Sequence, residues 1–458
     1  MKYKSNRIDI GDENAPVAIP IYIINLKKRR DRKEHIVEQF KGRKEFTLHI
    51  TEAFEHPVGA QGLWKTIQYI IRDLCAADQE FIVIGEDDLE FTENYSATDL
   101  FAAIAEAKAK DAGMLLGGVS AFEDAINISE RLYWVSTFSG LHFTIIFNKF
   151  FKTISEARLE DRAAVDHHLA TLSDEILFVH PFFAVQKDFG YSDVTAKNNT
   201  EGRLKMLFYS ATRKLTALNQ VNNFYKGLPS PDHSTSDEHT YEDVTIPVFI
   251  IHSIIHGGRL EHVRQQFRDK PEFDVQIIED PKCEQPGLAS WLSARKAVDI
   301  AKANGDDVII ICQDDHQFTE HYSNGYLVRN IIEAYEQGAR ILSGGSSQFH
   351  DVVPITKNRF WVDNWLSAQF IVVFRECYSS ILNYRYDQTI VPGLVYSKIS
   401  TNKMLLYPFI SIQKDFGDSG VTAPDSKKEA SVTDLFRQSE LKLERIQNAY
   451  SKYQLEEI

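Results

Sequence analysis

Apolar runs and amphipathic stretches alternate along the chain. "VAIPIYIINL" is continuous and rich in β-branched residues, the mark of a strand buried on both faces, and it runs straight into the charged, helix-prone "KKRRDRKEHIVEQF". "LWKTIQYIIRDLCAAD" then places Leu63, Ile67, Ile70, Ile71 and Leu74 at helical spacing ahead of the apolar strand "FIVIG". "LFAAIAEAKAKDA" repeats the helical pattern and "GMLLGG" the strand. The pattern therefore predicts a βαβαβ unit, with the later "YWVSTFSGLHFTIIF" as β-rich cover. Open α/β sheets bind ligands at the carboxyl ends of their strands, and there "FIVIG" is followed by Glu86, Asp87 and Asp88.

The whole pattern is written twice. A shift of 227 positions puts Pro20 on Pro247, Arg32 on Arg259, Glu34-His35 on Glu261-His262, Trp64 on Trp291 and Asp87-Asp88 on Asp314-Asp315. It also puts Trp134 on Trp361 and "PFFAVQKDFG" on "PFISIQKDFG". The register holds without a gap for about 175 residues, a period too long for a solenoid, so a duplicated domain is expected. The polar "KGLPSPDHSTSDEHTYED" between the copies has linker composition. The expected organisation is a first domain over 1–226, a linker over 227–243 and a second domain over 244–458. The first domain closes with the basic amphipathic helix 203–226, whose Leu204, Leu207, Phe208, Ala211, Leu215 and Leu218 recur at helical spacing. That stripe suits packing on its own domain or peripheral contact with an anionic membrane.

Composition narrows the partners. A chain of 458 residues with 43% hydrophobic and 25% charged positions has material for a sizeable core. A net charge of −14 gives a nucleic-acid backbone no general attraction, so no nucleic-acid partner is expected. No secretory signal or membrane span is read, and a cytoplasmic location is expected. Cys75, Cys283, Cys312 and Cys377 stand apart, which favours buried reduced thiols over disulfides or a zinc site.

Consecutive carboxylates at a strand end repel one another, so a fold that keeps them in a crevice compensates with a cation or protonates one of them. A hard divalent ion, Mn²⁺ or Mg²⁺, held by one or two carboxylates leaves positions for substrate phosphates. A solvated acidic turn is the plainer reading of the same residues. Three motifs weigh against it. "IPIYIINLKKRRDRKEHIVEQF", "FIVIGEDDLEF" and the late "AAVDHHL", "ILFVHPFFAVQ" and "YSDV" together resemble glycosyltransferase family 25, the lipopolysaccharide and collagen galactosyltransferases, over about residues 18 to 195.

The resemblance implies two tandem GT-A domains, that is, Rossmann-like nucleotide-diphospho-sugar transferase folds of the α/β class. It further implies an inverting transfer of a hexose, galactose from UDP-galactose in the first instance, to a saccharide or lipid-linked glycan acceptor in lipopolysaccharide or surface-glycan synthesis. Carried onto this sequence, Asn25, Arg29, Arg32, Glu86, Asp87, Gln186 and Asp193 would bind the donor. Asp87 and Asp88 would hold the metal, Asp88 directly. Inversion needs a general base for the acceptor hydroxyl, and Asp166 is the candidate, although an Asp opening "DHHL" also suits a helix N-cap. His167 and His168 read as surface or packing residues. The family's Gly-Cys-x-x-Ser-His element is absent, with Leu63-Trp64 in place of Ser-His.

The second copy changes the chemistry and keeps the frame. His252 replaces Asn25, Gln313 replaces Glu86, His316 replaces Leu89 and Gly393 replaces Asp166. Residues 18 to 202 are therefore expected to form the active transferase, with 244 to 424 as a degenerate supporting copy. Two working transferases, or a tandem of non-catalytic nucleotide-sugar or glycan-binding modules, are the alternatives.

Overall fold

The structure is a computed structural model. It describes residues 5–8, 18–76, 78–161, 163–190, 200–228, 244–253, 258–283, 285–387, 389–390, 392–417 and 431–454. Asp193 and most of the interval between the copies lie outside the described residues. The chain divides into two compact units, Met1–Ala217 with Asn448–Ile458, and Leu218–Gln447.

Each unit is a mixed α/β layer structure. Among the described residues the first unit holds a nine-stranded sheet whose middle runs Phe46–Glu52, Ile19–Asn25, Phe81–Glu86, Phe143–Phe147, Met114–Leu116, Ile176–Val179. The first three of these are mutually parallel, and Phe143–Phe147 is antiparallel to both neighbours. The segment read as β-rich cover therefore supplies a central strand, Phe143–Phe147, every residue of which is buried. The strand Phe46–Glu52, which the βαβαβ reading passed over, alternates buried with half-buried positions from Phe46 to Ile50, and Thr51 is buried as well. Helices Arg30–Phe40 and Ala97–Ala109 form where the periodicity placed them, the latter capped by Ser96 accepting from the Asp99 amide.

The second unit repeats these bounds at the same 227-residue offset: Ile246–His252, Phe273–Glu279, Val308–Gln313, Phe370–Phe374 and Pro392–Ile399 answer Ile19–Asn25, Phe46–Glu52, Phe81–Glu86, Phe143–Phe147 and Val165–Leu172. Among the described residues its eight-stranded main sheet follows the same order. In helix Arg203–Lys226, Phe208, Ala211 and Leu215 join the first unit's core, which accounts for the apolar stripe by packing. Among the described residues no helix is long and apolar enough to cross a membrane. The four cysteines are free. Cys312 and Cys377 are buried as expected, Cys75 is half-buried, and Cys283 is exposed in the connection between Phe273–Glu279 and helix Pro286–Asn304.

Candidate functional site

The acids lie where two parallel strands end. Ile24 pairs with Glu86, so Asn25, the last residue of its strand, lies beside Asp87, the first residue past the neighbouring strand, and Asn25 Nδ2 donates to Asp87 Oδ2 at 2.9 Å. Helix Arg30–Phe40 begins immediately after, and its first turn aims Arg32 back over the strand end. Arg32 Nη1 lies 2.9 Å from Asp87 Oδ1 and 3.4 Å from Asp88 Oδ2, with Arg29 Nη1 3.8 Å from Asp87. The short strand Leu89–Phe91 pairs antiparallel with Ala184–Gln186, and the Lys187 amide donates to the Asp88 carbonyl at 2.8 Å. This pairing brings the Gln186 side chain into a hydrogen bond with Asp88. The Phe189 ring lies under the Arg32 guanidinium at 4.7 Å and the Lys187 ammonium at 5.2 Å.

Asp87 is compensated by a guanidinium, and both of its carboxylate oxygens are engaged, one by Asn25 and the other by Arg32. Asp88 is less fully compensated. Its Oδ1 is buried without a hydrogen-bond partner, and burial, with the Asp87 charge, lifts it above the usual carboxylate range against the pull of Arg32. Burial raises Glu86 well above that range as well, and the charges of Asp88, Asp87 and Asp166 add to the effect.

These groups line one cavity of about 930 Å³ within the first unit, in the size range of small-molecule sites. Arg29, Arg32, Glu86, Asp87, Asp88, Asp166 and Gln186 all face it, and Asn25 stands behind Asp87. Asp166 is the second residue of helix Val165–Leu172 and not its cap, since Ala164 holds that position. Its Oδ2 accepts from the Gly140 amide at 3.2 Å. His167 also lines the cavity, its Nε2 3.4 Å from Ser139 Oγ, whereas His168 packs edge-on against Trp64. Trp64 gives a buried ring and Leu63 an apolar stretch of the cavity wall.

The sequence reading missed Lys187, His56, Gly140 and Arg203, all of which face the cavity. For Lys187 a signal existed. "QKDFG" is repeated unchanged, and in each unit its lysine contacts a histidine, Lys187 with His35 and Lys414 with His262, both at 3.3 Å.

Behind the cavity wall, His142 is fully buried, its Nε2 3.0 Å from the Ala184 carbonyl, and burial drives it down to about 4. A histidine with a depressed folded pKa stabilises the fold fully above its unfolded pKa near 6.5, and that contribution is lost as pH falls towards the folded value. His142→Gln, which copies Gln369 of the second unit, is expected to remove about 3 kcal/mol of stability change between pH 6.5 and 4. Urea unfolding of both proteins across that window checks it.

The fold and site define a mixed α/β protein with a charged cleft at the ends of parallel strands. No family model matches the chain, and no curated protein matches it in sequence. Among solved structures it is similar to A197 from STIV, at 13% identity and a TM-score of 0.26, over 37% of this chain and 84% of that one. It is also similar to UDP-glucose pyrophosphorylase, apo and complexed with UDP-glucose. Each match has 10% identity and a TM-score of 0.27 over 41% of this chain, covering 81% and 80% of those chains. Likenesses this weak carry no inference about activity.

Proposed function

We propose that the first unit is an inverting, metal-dependent glycosyltransferase of GT-A type that moves a hexose from a UDP-sugar, UDP-galactose first, to a saccharide acceptor of surface-glycan or lipopolysaccharide synthesis. The observation that supports it is one cavity holding both a compensated acid cluster and a separate carboxylate, Asp166, on a different element. The family 25 resemblance of the same residues supplies the reaction class.

In this reading Asp166 takes the proton of the acceptor hydroxyl. The hydroxyl oxygen bonds to the anomeric carbon from the face opposite the leaving group, and the bond from that carbon to the diphosphate oxygen breaks, UDP leaving with the electron pair. Arg32 and Asn25 hold Asp87, and Gln186 holds Asp88, so the acids keep one geometry throughout. Among the described residues no three His, Cys, Asp or Glu side chains group as a metal site. A Mn²⁺ or Mg²⁺ ion that keeps phosphate and water ligands needs fewer, and the partnerless Asp88 Oδ1 fits as its carboxylate ligand. When bound, the ion neutralises charge on the departing diphosphate.

The second unit is read as a supporting copy. Asp314 is engaged by His252 at 2.8 Å and Arg259 at 3.5 Å, and Gly393 offers no base. Asp315 Oδ1 is partnerless like Asp88 Oδ1, which favours retained ligand binding there without turnover. The function is tested by incubation with UDP-hexoses, Mn²⁺ and a saccharide panel, followed by mass spectrometry. A glycosylated product with stoichiometric UDP is expected; UDP release without product would replace transfer by hydrolysis.

A further inference from the structure

The geometry points to Gly140 as a positioning residue whose backbone amide holds the Asp166 carboxylate in the orientation needed to receive the acceptor proton. This rests on the transferase reading of the cavity.

Asp166 Oδ1 accepts from the neighbouring His167 amide at 2.9 Å and Oδ2 from Gly140 at 3.2 Å, so the carboxylate is pinned from its own helix and from the loop after strand Phe138–Ser139. Gly140 has φ +113°, a backbone conformation that residues with a side chain rarely adopt, and a Cβ there would also lie 3.2 Å from His142 Nδ1. His142 is anchored in turn by its other ring nitrogen on the Ala184 carbonyl. The titratable groups nearest Asp166 are Glu86 at the end of its strand and His167 on its own helix, and Asp88, Arg29, Arg32 and Lys187 line the same cavity.

The second unit shows that the fold itself does not need this contact. There Ser367 stands for Gly140 and Gly393 for Asp166, and helix Pro392–Ile399 still forms. A Cβ on Gly393 would lie 1.5 Å from the Leu366 carbonyl oxygen and 2.9 Å from the Ser367 nitrogen, so this helix meets the loop backbone directly. In the first unit a carboxylate spans the same junction and faces the cavity. Carboxylate and glycine are thus present together in one copy and absent together from the other, as expected of a pair with one job.

Two measurements test it. The Gly140 amide resonance of the whole protein is followed by NMR through a pH titration, in wild type and in Asp166→Asn. Transfer is followed against pH in wild type and Gly140→Ala. A hydrogen bond to the charged form favours ionisation, so its loss moves the acid limb of kcat up by about one pH unit and lowers kcat about tenfold, with the donor KM within twofold. A Gly140 amide that titrates in wild type and stops titrating in Asp166→Asn, with that shifted limb, supports the inference. An amide that does not titrate, or a Gly140→Ala protein whose acid limb stays in place, overturns it. The amide titration needs neither turnover nor a folded Gly140→Ala protein. A wild type that titrates yet transfers no sugar therefore fails the transferase reading alone, and the hydrogen bond stands.

Discussion

Asp166→Asn is expected to lower transfer by about 10²- to 10⁴-fold while leaving UDP-sugar affinity within twofold of wild type. Removal of a general base acts on the transition state and leaves ground-state donor binding alone, so the loss belongs in kcat. Asn retains an oxygen that can accept from the Gly140 amide, and the side chain is only partly buried at the cavity wall, so stability should hold. Steady-state kinetics together with calorimetric donor titration separate the two effects. A matching fall in donor affinity would move Asp166 into the donor site and remove it as base.

Arg32→Met is expected to be the most destabilising single change at the site, by about 3–5 kcal/mol. Arg32 is 5% exposed, and its guanidinium is the closest cation to both Asp87 and Asp88; its removal strands two buried carboxylates beside Glu86. Asp87→Asn added to Arg32→Met removes one of those charges and should recover a large part of the loss. Urea unfolding of the two single variants and the double variant measures the coupling. Additive effects would mean that Arg32 and Asp87 do not depend on one another and that the acid cluster is compensated elsewhere.

The sequence carried much of this arrangement because it carried it twice. Strands such as Phe81–Glu86 and Val308–Gln313 are continuous apolar runs, and their shared offset fixed both their bounds and the place of the acids. The Phe143–Phe147 strand escaped correct placement for a topological reason. Its composition announces a buried strand, but insertion between Phe81–Glu86 and Met114–Leu116 depends on pairing that no local pattern encodes. Phe46–Glu52 was overlooked because "FTLHITE" mixes polar with apolar positions.

At the site, the acids were legible from the strand end alone, whereas Asn25 and Arg32 entered through the resemblance as donor contacts, and the structure has both on Asp87. That the compensation is a guanidinium on the next helix depends on the direction of one side chain, Arg32. Gly140 left no trace at all. A backbone amide acts irrespective of residue type, and only the φ of +113° reveals why glycine stands there. The helix 203–226 has a basic, apolar pattern that suits a protein core and a membrane surface alike, with packing the favoured reading, and Phe208, Ala211 and Leu215 lie in the core.

The central claim is that transfer takes place in the first unit's cavity. The most direct test is the UDP-hexose and acceptor incubation repeated with Asp87→Asn/Asp88→Asn and with Asp314→Asn/Asp315→Asn, product being counted by mass spectrometry. The account predicts product abolished by the first pair and retained with the second. Product lost with the second pair and kept with the first would contradict it and move the active centre to residues 244–417.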